Sequence, residues 1–200
     1  MCIFQYGQKE IDYLKKRDKV LGRAIDEIGI IRRPVIPDLF TALIWNIVGQ
    51  QISSKAANTV WNRMLDRYSP ITPETIMAIT AEEIQKCGMS NRKANYIKGI
   101  AEAVVQGKLN LLELKHLPDD EVIKRLSSLP GIGVWTAEML MIFSMQRPDV
   151  VSWGDLAIRR GMMTLYGLKD LTREQFHEYR KRYSPYGSVA SLYLWVISRE

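Results

Sequence analysis

The sequence is poor in the side chains that bind transition metals. Its 200 residues include two cysteines, Cys2 and Cys87, and two histidines, His116 and His177. Two distant cysteines cannot build a disulfide framework, a four-cysteine zinc site or an iron–sulfur cluster within one chain. We therefore expect no iron–sulfur cluster, no dedicated transition-metal centre and no cofactor for catalysis.

Long hydrophobic runs are also missing. No apolar segment approaches the roughly 20 residues that span a bilayer, and the N-terminus lacks the charged-then-apolar order of a secretion signal. We therefore expect a cytoplasmic protein without a membrane partner, nucleoid-associated if the source is bacterial. The formal net charge of +6 suits a polyanionic partner, although many proteins of similar charge have none.

Strict alternation of apolar and polar residues is hard to find, whereas apolar residues recur at helical spacing along most of the chain. This pattern predicts an all-α protein. One apolar face runs from about residue 9 to Gly29, and a strongly apolar helix follows from about Asp38. Pro70 and Pro73 predict a connector. Further helices are expected at about 134–145 and 187–198, and the residues placed to cap helices are Ser53, Thr80, Ser90 and Thr172.

The most informative segment is Leu126–Arg160, where a glycine-containing turn precedes a single aspartate. Gly131 and Gly133 let an anion approach the backbone, and a helix that starts at Val134 offers unpaired N–H groups and a positive dipole end. A bare Gly-x-Gly also fits an ordinary helix–helix turn. Asp155 precedes an apolar-periodic run, so on its own it is a candidate N-cap.

Four phrases of the sequence resemble one family. LPGIGVWTAEM resembles the helix-hairpin-helix of base-excision DNA glycosylases, and VVSWGDLAIRRG resembles their Gly/Pro-rich loop with its catalytic aspartate. LFTALIWNIVGQQISSKAA and GMSNRKANYIKGIA extend the similarity over roughly residues 35–200. The chain is most similar to the alkylated-base branch, 3-methyladenine DNA glycosylase II. The resemblance implies one glycosylase domain over 1–200, with two intimately packed helical subdomains around a central cleft and no extra N-terminal domain.

The resemblance assigns roles to the informative segment. Asp155 matches the catalytic aspartate, which stabilises positive charge on the sugar or activates a water as a general base. Backbone N–H groups near Gly131, Gly133 and Val134 match direct phosphate contacts. Other expected contacts to the DNA backbone are Thr136, Ser53, Lys55, Arg92 and Lys93. The carbonyls that match a structural Na⁺ or K⁺ site, filled when DNA is bound, are those of Ser127, Leu129 and Ile132.

The resemblance also implies an aromatic pocket for a flipped base. Trp135 and Trp195 match its walls, and Trp45 and Trp153 are weaker candidates; core packing is the alternative for all four. Met139 stands where some relatives have an aromatic residue. The wedge that fills the gap left by the base is expected at Gln51, although Gln50 and Gln51 also fit a pair of surface amides at a helix end.

Position 135 predicts the reaction type. Bifunctional relatives carry a lysine there, whereas Trp135 cannot act as an amine nucleophile. We therefore expect a monomeric, monofunctional DNA glycosylase that removes alkylated purines such as 3-methyladenine and 7-methylguanine from damaged double-stranded DNA. Base flipping is required because the glycosidic bond is inaccessible inside the duplex. The alternatives are excision of oxidised or deaminated bases and a non-catalytic DNA-binding module.

Overall fold

The computed structural model describes residues 2–199, which fold into helices and loops without a β-strand. No helix in this part of the chain is long and apolar enough to cross a membrane. A 3₁₀ helix, Glu113–His116, precedes α8. In chain order the α-helices are α1 (Gln8–Arg17), α2 (Lys19–Ile28), α3 (Leu39–Gly49), α4 (Ser54–Tyr68), α5 (Pro73–Met77), α6 (Ala81–Gln85), α7 (Asn91–Val105), α8 (Asp119–Ser127), α9 (Val134–Phe143), α10 (Leu156–Tyr166), α11 (Arg173–Tyr183) and α12 (Gly187–Ile197).

The helices divide between two compact units. Unit 1 is built from the chain up to Val35 and from Met141 onward, and unit 2 is Ile36–Leu140. Unit 1 therefore contains α1, α2 and α10 to α12, and unit 2 contains α3 to α8. The boundary between them falls within α9.

In unit 1, the prediction of one helix from about residue 9 to Gly29 is wrong, because the helix breaks at Asp18. Asp18 has an extended backbone, and its Oδ1 accepts the N–H groups of Val20 and Leu21, each at 3.0 Å. Its Oδ2 accepts a hydrogen bond from the Tyr166 hydroxyl at 2.7 Å. A buried carboxylate with these partners favours a cap over a continuous helix, and apolar periodicity does not reveal such a break.

The core of unit 1 forms around α12, which packs against α10, α2 and α11. Its crossing with α10 is close: a Cβ on Gly161 would lie 2.0 Å from the carbonyl oxygen of Leu194. Only glycine fits that crossing. Tyr193 is buried on α12 and donates a hydrogen bond to the carbonyl oxygen of Gly29 at 3.0 Å.

Unit 2 is organised around α3 and α7, which contact each other. α4 packs on α3, and α5 and α6 pack on α7. The predicted caps Ser53, Thr80 and Ser90 are confirmed, since each side chain accepts a backbone N–H in the first turn of its helix. The predicted connector between Pro70 and Pro73 is confirmed, and α5, which was not predicted, begins at its end because Thr72 caps the helix and Pro73 is tolerated in the first turn.

Candidate functional site

The glycine-containing turn joins α8 and α9 as a tight hairpin. The side chains of Leu129 and Ile132 are buried, and the Ile132 N–H donates to the Leu129 carbonyl at 3.1 Å. Gly131 has a left-handed backbone with φ of 82°. A Cβ at this position would also lie 2.4 Å from Cδ2 of Tyr96 on α7. Both conformation and space therefore require glycine at the apex of the turn.

The start of α9 is open to an anion. Within residues 2–199, the backbone N–H groups of Gly133 and Val134 have no acceptor. Both residues are exposed. Unpaired N–H groups and the positive end of the helix dipole attract phosphate and similar anions.

A second turn, between α3 and α4, contacts the hairpin directly. Nε2 of Gln50 donates to the carbonyl oxygen of Gly131 at 2.7 Å, so Gln50 is a bridge between turns and not a surface amide. Gln51, the wedge candidate, is exposed and has a left-handed backbone with φ of 58°. Such a conformation is uncommon for a residue other than glycine and is typical of a tightly held turn.

Lys93 fixes the same turn from α7. Its Nζ donates to the carbonyl oxygens of Val48 at 2.9 Å and Gln50 at 2.5 Å, at the C-terminal end of α3. Such carbonyls lack partners within the helix and favour a cation. Burial lowers the pKa of the Lys93 ammonium, and the neighbouring Arg92 lowers it further. The predicted phosphate contact of Lys93 must therefore compete with these two bonds.

Three helix starts of unit 2 are connected through these contacts. Lys93 and Tyr96 of α7 contact the α3–α4 turn and the hairpin, respectively. Ser53 and Lys55 are exposed at the start of α4, and Arg92 is exposed at the start of α7. We call the exposed residues at these starts the three-turn surface; they are Ser53, Lys55, Arg92, Gly133 and Val134. Its two cations and three positive dipole ends suit a polyanion.

A cavity of about 490 Å³ lies beside this surface within unit 2. Trp45 stands edge-to-face on Trp61, with 5.4 Å between ring centroids, and Trp135 is 46% exposed. Of the predicted residues, Trp45, Trp135, Gln51 and Thr136 meet here, whereas Met139 is buried and is not part of the lining. The lining residues are Trp45, Asn46, Gly49, Gln50, Gln51, Ile52, Ser54, Ala57, Trp135 and Thr136.

Asp155 lies in unit 1 as the N-cap of α10. Its Oδ1 accepts the backbone N–H of Ile158 at 2.9 Å, and the residue is 6% exposed. The predicted cap is confirmed, and a catalytic role for the carboxylate stays a prediction.

The two remaining tryptophan candidates have partners within unit 1. Trp153 stands edge-to-face on Phe176 at 5.1 Å, and the Arg159 guanidinium lies 4.8 Å from the Trp153 ring centre. Trp195 lies at 5.2 Å from the ring of Phe143. Both tryptophans are half-buried.

Comparison with known proteins now identifies the family. A model described as HhH-GPD superfamily base excision DNA repair protein matches residues 44–185, which include both the hairpin and Asp155. The chain belongs to the HhH-GPD superfamily. Membership confirms the predicted family and the all-α fold.

Several relatives of this HhH-GPD chain are named for 3-methyladenine. DNA-3-methyladenine glycosylase 1 of Schizosaccharomyces pombe is 37% identical over 165 residues, covering 80% of this chain and 72% of the relative. A crystal structure of a Bacillus halodurans DNA-3-methyladenine glycosidase has a TM-score of 0.88 and 35% identity, over 99% of this chain and 93% of that one. A Schizosaccharomyces pombe 3-methyladenine DNA glycosylase in complex with abasic DNA has a TM-score of 0.82 and 33% identity, over 96% and 98%.

The groups expected to bind a cation at the HhH-GPD hairpin suit a hard ion such as Na⁺ or K⁺. The matching groups, the carbonyls of Ser127, Leu129 and Ile132, are neutral oxygens, which hard cations prefer. The Leu129 carbonyl accepts the Ile132 N–H and keeps a second lone pair. Elsewhere in the described residues, no three His, Cys, Asp or Glu side chains are grouped to hold a metal ion. A Na⁺ or K⁺ at the hairpin stays a prediction.

Sequence reasoning missed Asn46 of the HhH-GPD site and the structural roles of Gln50 and Lys93. Gln50 bridges the two turns, Lys93 anchors one of them and Asn46 lines the cavity. The partners of Gln50 and Lys93 are 81 and 43 residues away along the chain. Local patterns carry no signal at that separation. The one local signal for Asn46 is that it is the polar residue in the otherwise apolar sequence LIWNIV.

Proposed function

We propose that this HhH-GPD protein is a monofunctional DNA glycosylase that removes alkylated purines, such as 3-methyladenine and 7-methylguanine, from double-stranded DNA in base excision repair. One observation carries the proposal: α9 begins at the glycine-containing hairpin and, in its first turn, contributes Trp135 to the lining of the cavity. A single element thus links a phosphate contact to a base pocket. The names of the relatives support alkylated purines as the substrate class.

The three-turn surface would hold the DNA backbone. Gly133 and Val134 offer N–H groups to a phosphate, and Lys55 and Arg92 add charge. A cation held by the carbonyls of Ser127, Leu129 and Ile132 would neutralise a further phosphate charge. Such contacts position the duplex and carry no sequence information. Recognition of the damaged base must therefore come from the pocket.

The cavity suits an alkylated purine flipped from the stack. Its volume of about 490 Å³ lies in the range of small-molecule sites. N-alkylation at N3 or N7 makes a purine in DNA cationic, and a cation over a tryptophan ring gains about 0.5–2 kcal/mol. Trp45 and Trp135 can therefore favour the damaged base over a neutral one. Gln51, at the tip of its turn, is the candidate to fill the gap in the duplex.

Asp155 would stabilise the sugar as the glycosidic bond breaks. The departing base leaves positive charge on the sugar, and a carboxylate about 4 Å away, at an effective dielectric near 20, contributes about 4 kcal/mol. That energy corresponds to nearly a thousandfold in rate. Asp155 suits the role because its bond to the Ile158 N–H holds the side chain in one orientation.

The side chains of the cavity support hydrolysis without strand cleavage. A lyase reaction of this kind needs an amine nucleophile that forms a Schiff base. Trp135 offers none, and no lysine lines the cavity of unit 2 within residues 2–199. The nearby Lys93 ammonium donates to Val48 and Gln50. We therefore propose that the protein, acting as a monomer, leaves an abasic site.

The direct test is base release from defined duplexes. Duplex DNA carrying 3-methyladenine or 7-methylguanine is incubated with the protein, and the freed bases are identified by mass spectrometry. Matched duplexes with 8-oxoguanine or hypoxanthine serve as comparison substrates. We expect release of the methylated bases. Release of oxidised or deaminated bases alone would contradict the substrate class, and duplex binding without any release would favour a non-catalytic DNA-binding module.

A further inference from the structure

The cavity contains a polar side chain without an assigned role. Asn46 follows Trp45 on α3, is half-buried and lines the cavity. Its neighbours on the helix, Leu43, Ile44, Ile47 and Val48, are fully buried and apolar. Asn46 differs from them because it is only half-buried and lies at the cavity, where a polar group can meet a ligand.

The hydrogen bonds of Asn46 fix which amide atoms remain. One end of the amide lies 2.8 Å from the carbonyl oxygen of Ala42. A carbonyl oxygen only accepts, so this end is the Nδ2 amino group and the assignment of oxygen and nitrogen is determined. Within residues 2–199, the oxygen Oδ1 and the second N–H of Nδ2 have no further partner. The amide of Asn46 thus keeps one acceptor and one donor for a ligand.

An acceptor beside a donor matches one edge of adenine. The major-groove edge of adenine offers the N6 amino donor and the N7 acceptor, and asparagine pairs with both. In 3-methyladenine this edge is intact because the methyl group is on N3. In 7-methylguanine the N7 acceptor is blocked by its methyl group and O6 replaces the amino donor. Oδ1 would then face another acceptor, which is unfavourable.

We propose that Asn46 reads this edge of the flipped base and makes the enzyme prefer 3-methyladenine to 7-methylguanine. The inference rests on the proposed function and deepens it. The tryptophan walls favour any cationic purine, whereas the amide distinguishes between two of them. A good bidentate pair discriminates against the wrong base by roughly 5- to 150-fold. Asn46 is thus a specificity-determining residue, separate from the bond-breaking chemistry of Asp155.

The test measures both bases in one reaction. Duplex DNA treated with dimethyl sulfate contains both lesions, and single-turnover release rates of 3-methyladenine and 7-methylguanine give their ratio directly. In Asn46→Leu, which keeps the side-chain size and removes both hydrogen-bonding groups, we expect the 3-methyladenine rate to fall about tenfold and the 7-methylguanine rate to be unchanged or higher. The matched control is Asn62→Leu, an exposed asparagine on α4 outside the cavity lining. Its ratio should equal that of the wild type.

The possible results distinguish the role of Asn46 from the glycosylase activity itself. An unchanged ratio in Asn46→Leu, or an equal fall in both rates, would overturn the role of Asn46 while the glycosylase activity of the wild type stands. Release of neither base by the wild type would overturn both proposals. Asn46→Ala is a second variant whose smaller side chain cannot strain the cavity, and it should shift the ratio in the same direction. Thermal unfolding of each variant verifies that it is folded.

Discussion

Gln50 in the α3–α4 turn donates from Nε2 to the carbonyl oxygen of Gly131 in the α8–α9 hairpin, at 2.7 Å. The neighbour of Gln50 is the wedge candidate Gln51, and Gly131 lies two residues before the open N–H of Gly133. The bond therefore connects the turn that would enter the duplex to the turn that would hold its backbone. Lys93 secures the first turn through the Gln50 carbonyl. We infer that the two turns act as one rigid element.

Removal of the Gln50 amide should weaken this element. Gln50→Leu leaves the Gly131 carbonyl without that donor, which we expect to lower the free energy of unfolding by about 1–3 kcal/mol. Single-turnover excision should fall more than the loss of folded protein explains, because the wedge loses its register with the hairpin. Chemical unfolding and excision rates measure both effects. Gln85→Leu, at an exposed position on α6, is the control, and equal excision rates for the two variants would contradict the bridging role.

The three-turn surface should determine the salt dependence of DNA binding. Each phosphate that a cation neutralises contributes about −0.9 to the slope of log affinity against log salt concentration. Arg92→Ala and Lys55→Ala should each make the slope shallower by roughly 0.9, as measured by fluorescence anisotropy over a salt series. Lys108 is exposed just beyond the C-terminal end of α7, so Lys108→Ala is a control within unit 2. A slope that changes equally in all three variants would argue against this surface as the DNA contact.

Borohydride trapping tests the absence of a lyase reaction. The reagent reduces a Schiff base to a stable amine and so captures a protein–DNA adduct. Because Trp135 cannot form that intermediate, we expect no adduct and an uncleaved abasic strand under conditions in which a bifunctional glycosylase gives both. Denaturing gels detect the adduct and the nick. A robust adduct would contradict the assignment of position 135.

Alkaline pH should destabilise the fold through its buried tyrosines. Burial raises the pKa of Tyr166, Tyr183 and Tyr193 above the ordinary value near 10. Ionisation is then easier in the unfolded chain, so their stabilising effect is complete below about pH 10 and is lost above it, by up to about 1.4 kcal/mol per pH unit for each tyrosine.

A single variant isolates this effect. Tyr193→Phe loses the hydroxyl bond to Gly29, so below pH 9 it should be about 1 kcal/mol less stable than the wild type. Above pH 10 the wild type alone carries the ionisation penalty at this position, and the difference should shrink and then reverse. Urea unfolding at a series of pH values measures it. A constant difference from pH 8 to pH 11.5 would show that Tyr193 does not titrate as described.

The helix caps, which depend on residues close together in the sequence, could largely be predicted from it. Ser53, Thr80, Ser90 and Asp155 cap helices as expected because a cap needs only its own side chain and the next three residues. The break at Asp18 was missed although its cap is also local, and its additional bond from Tyr166, 148 residues away, has no signal in the local sequence. Apolar periodicity continues across such a break and conceals it.

The candidate site could be predicted only in outline. The phrases around Gly131 and Asp155 identified the hairpin and the acid, since both are contiguous in sequence. Gln50 and Lys93, which hold the turns of the site in place, could not be predicted because their partners are far away along the chain. Asn46 needed both the shape of the cavity and the bond to Ala42, which together show which amide atoms remain available.

Release of 3-methyladenine from a duplex by the wild type and by Asp155→Asn shows whether this carboxylate is catalytic. Asparagine caps a helix about as well as aspartate, so the variant should keep the bond to Ile158 and the fold while it loses the negative charge. We expect excision to fall by a factor on the order of a thousand, with duplex affinity within about twofold of the wild type because the proposed role of Asp155 is at the sugar, whereas the proposed phosphate contacts are on the three-turn surface. Excision at the wild-type rate by folded Asp155→Asn would contradict this role.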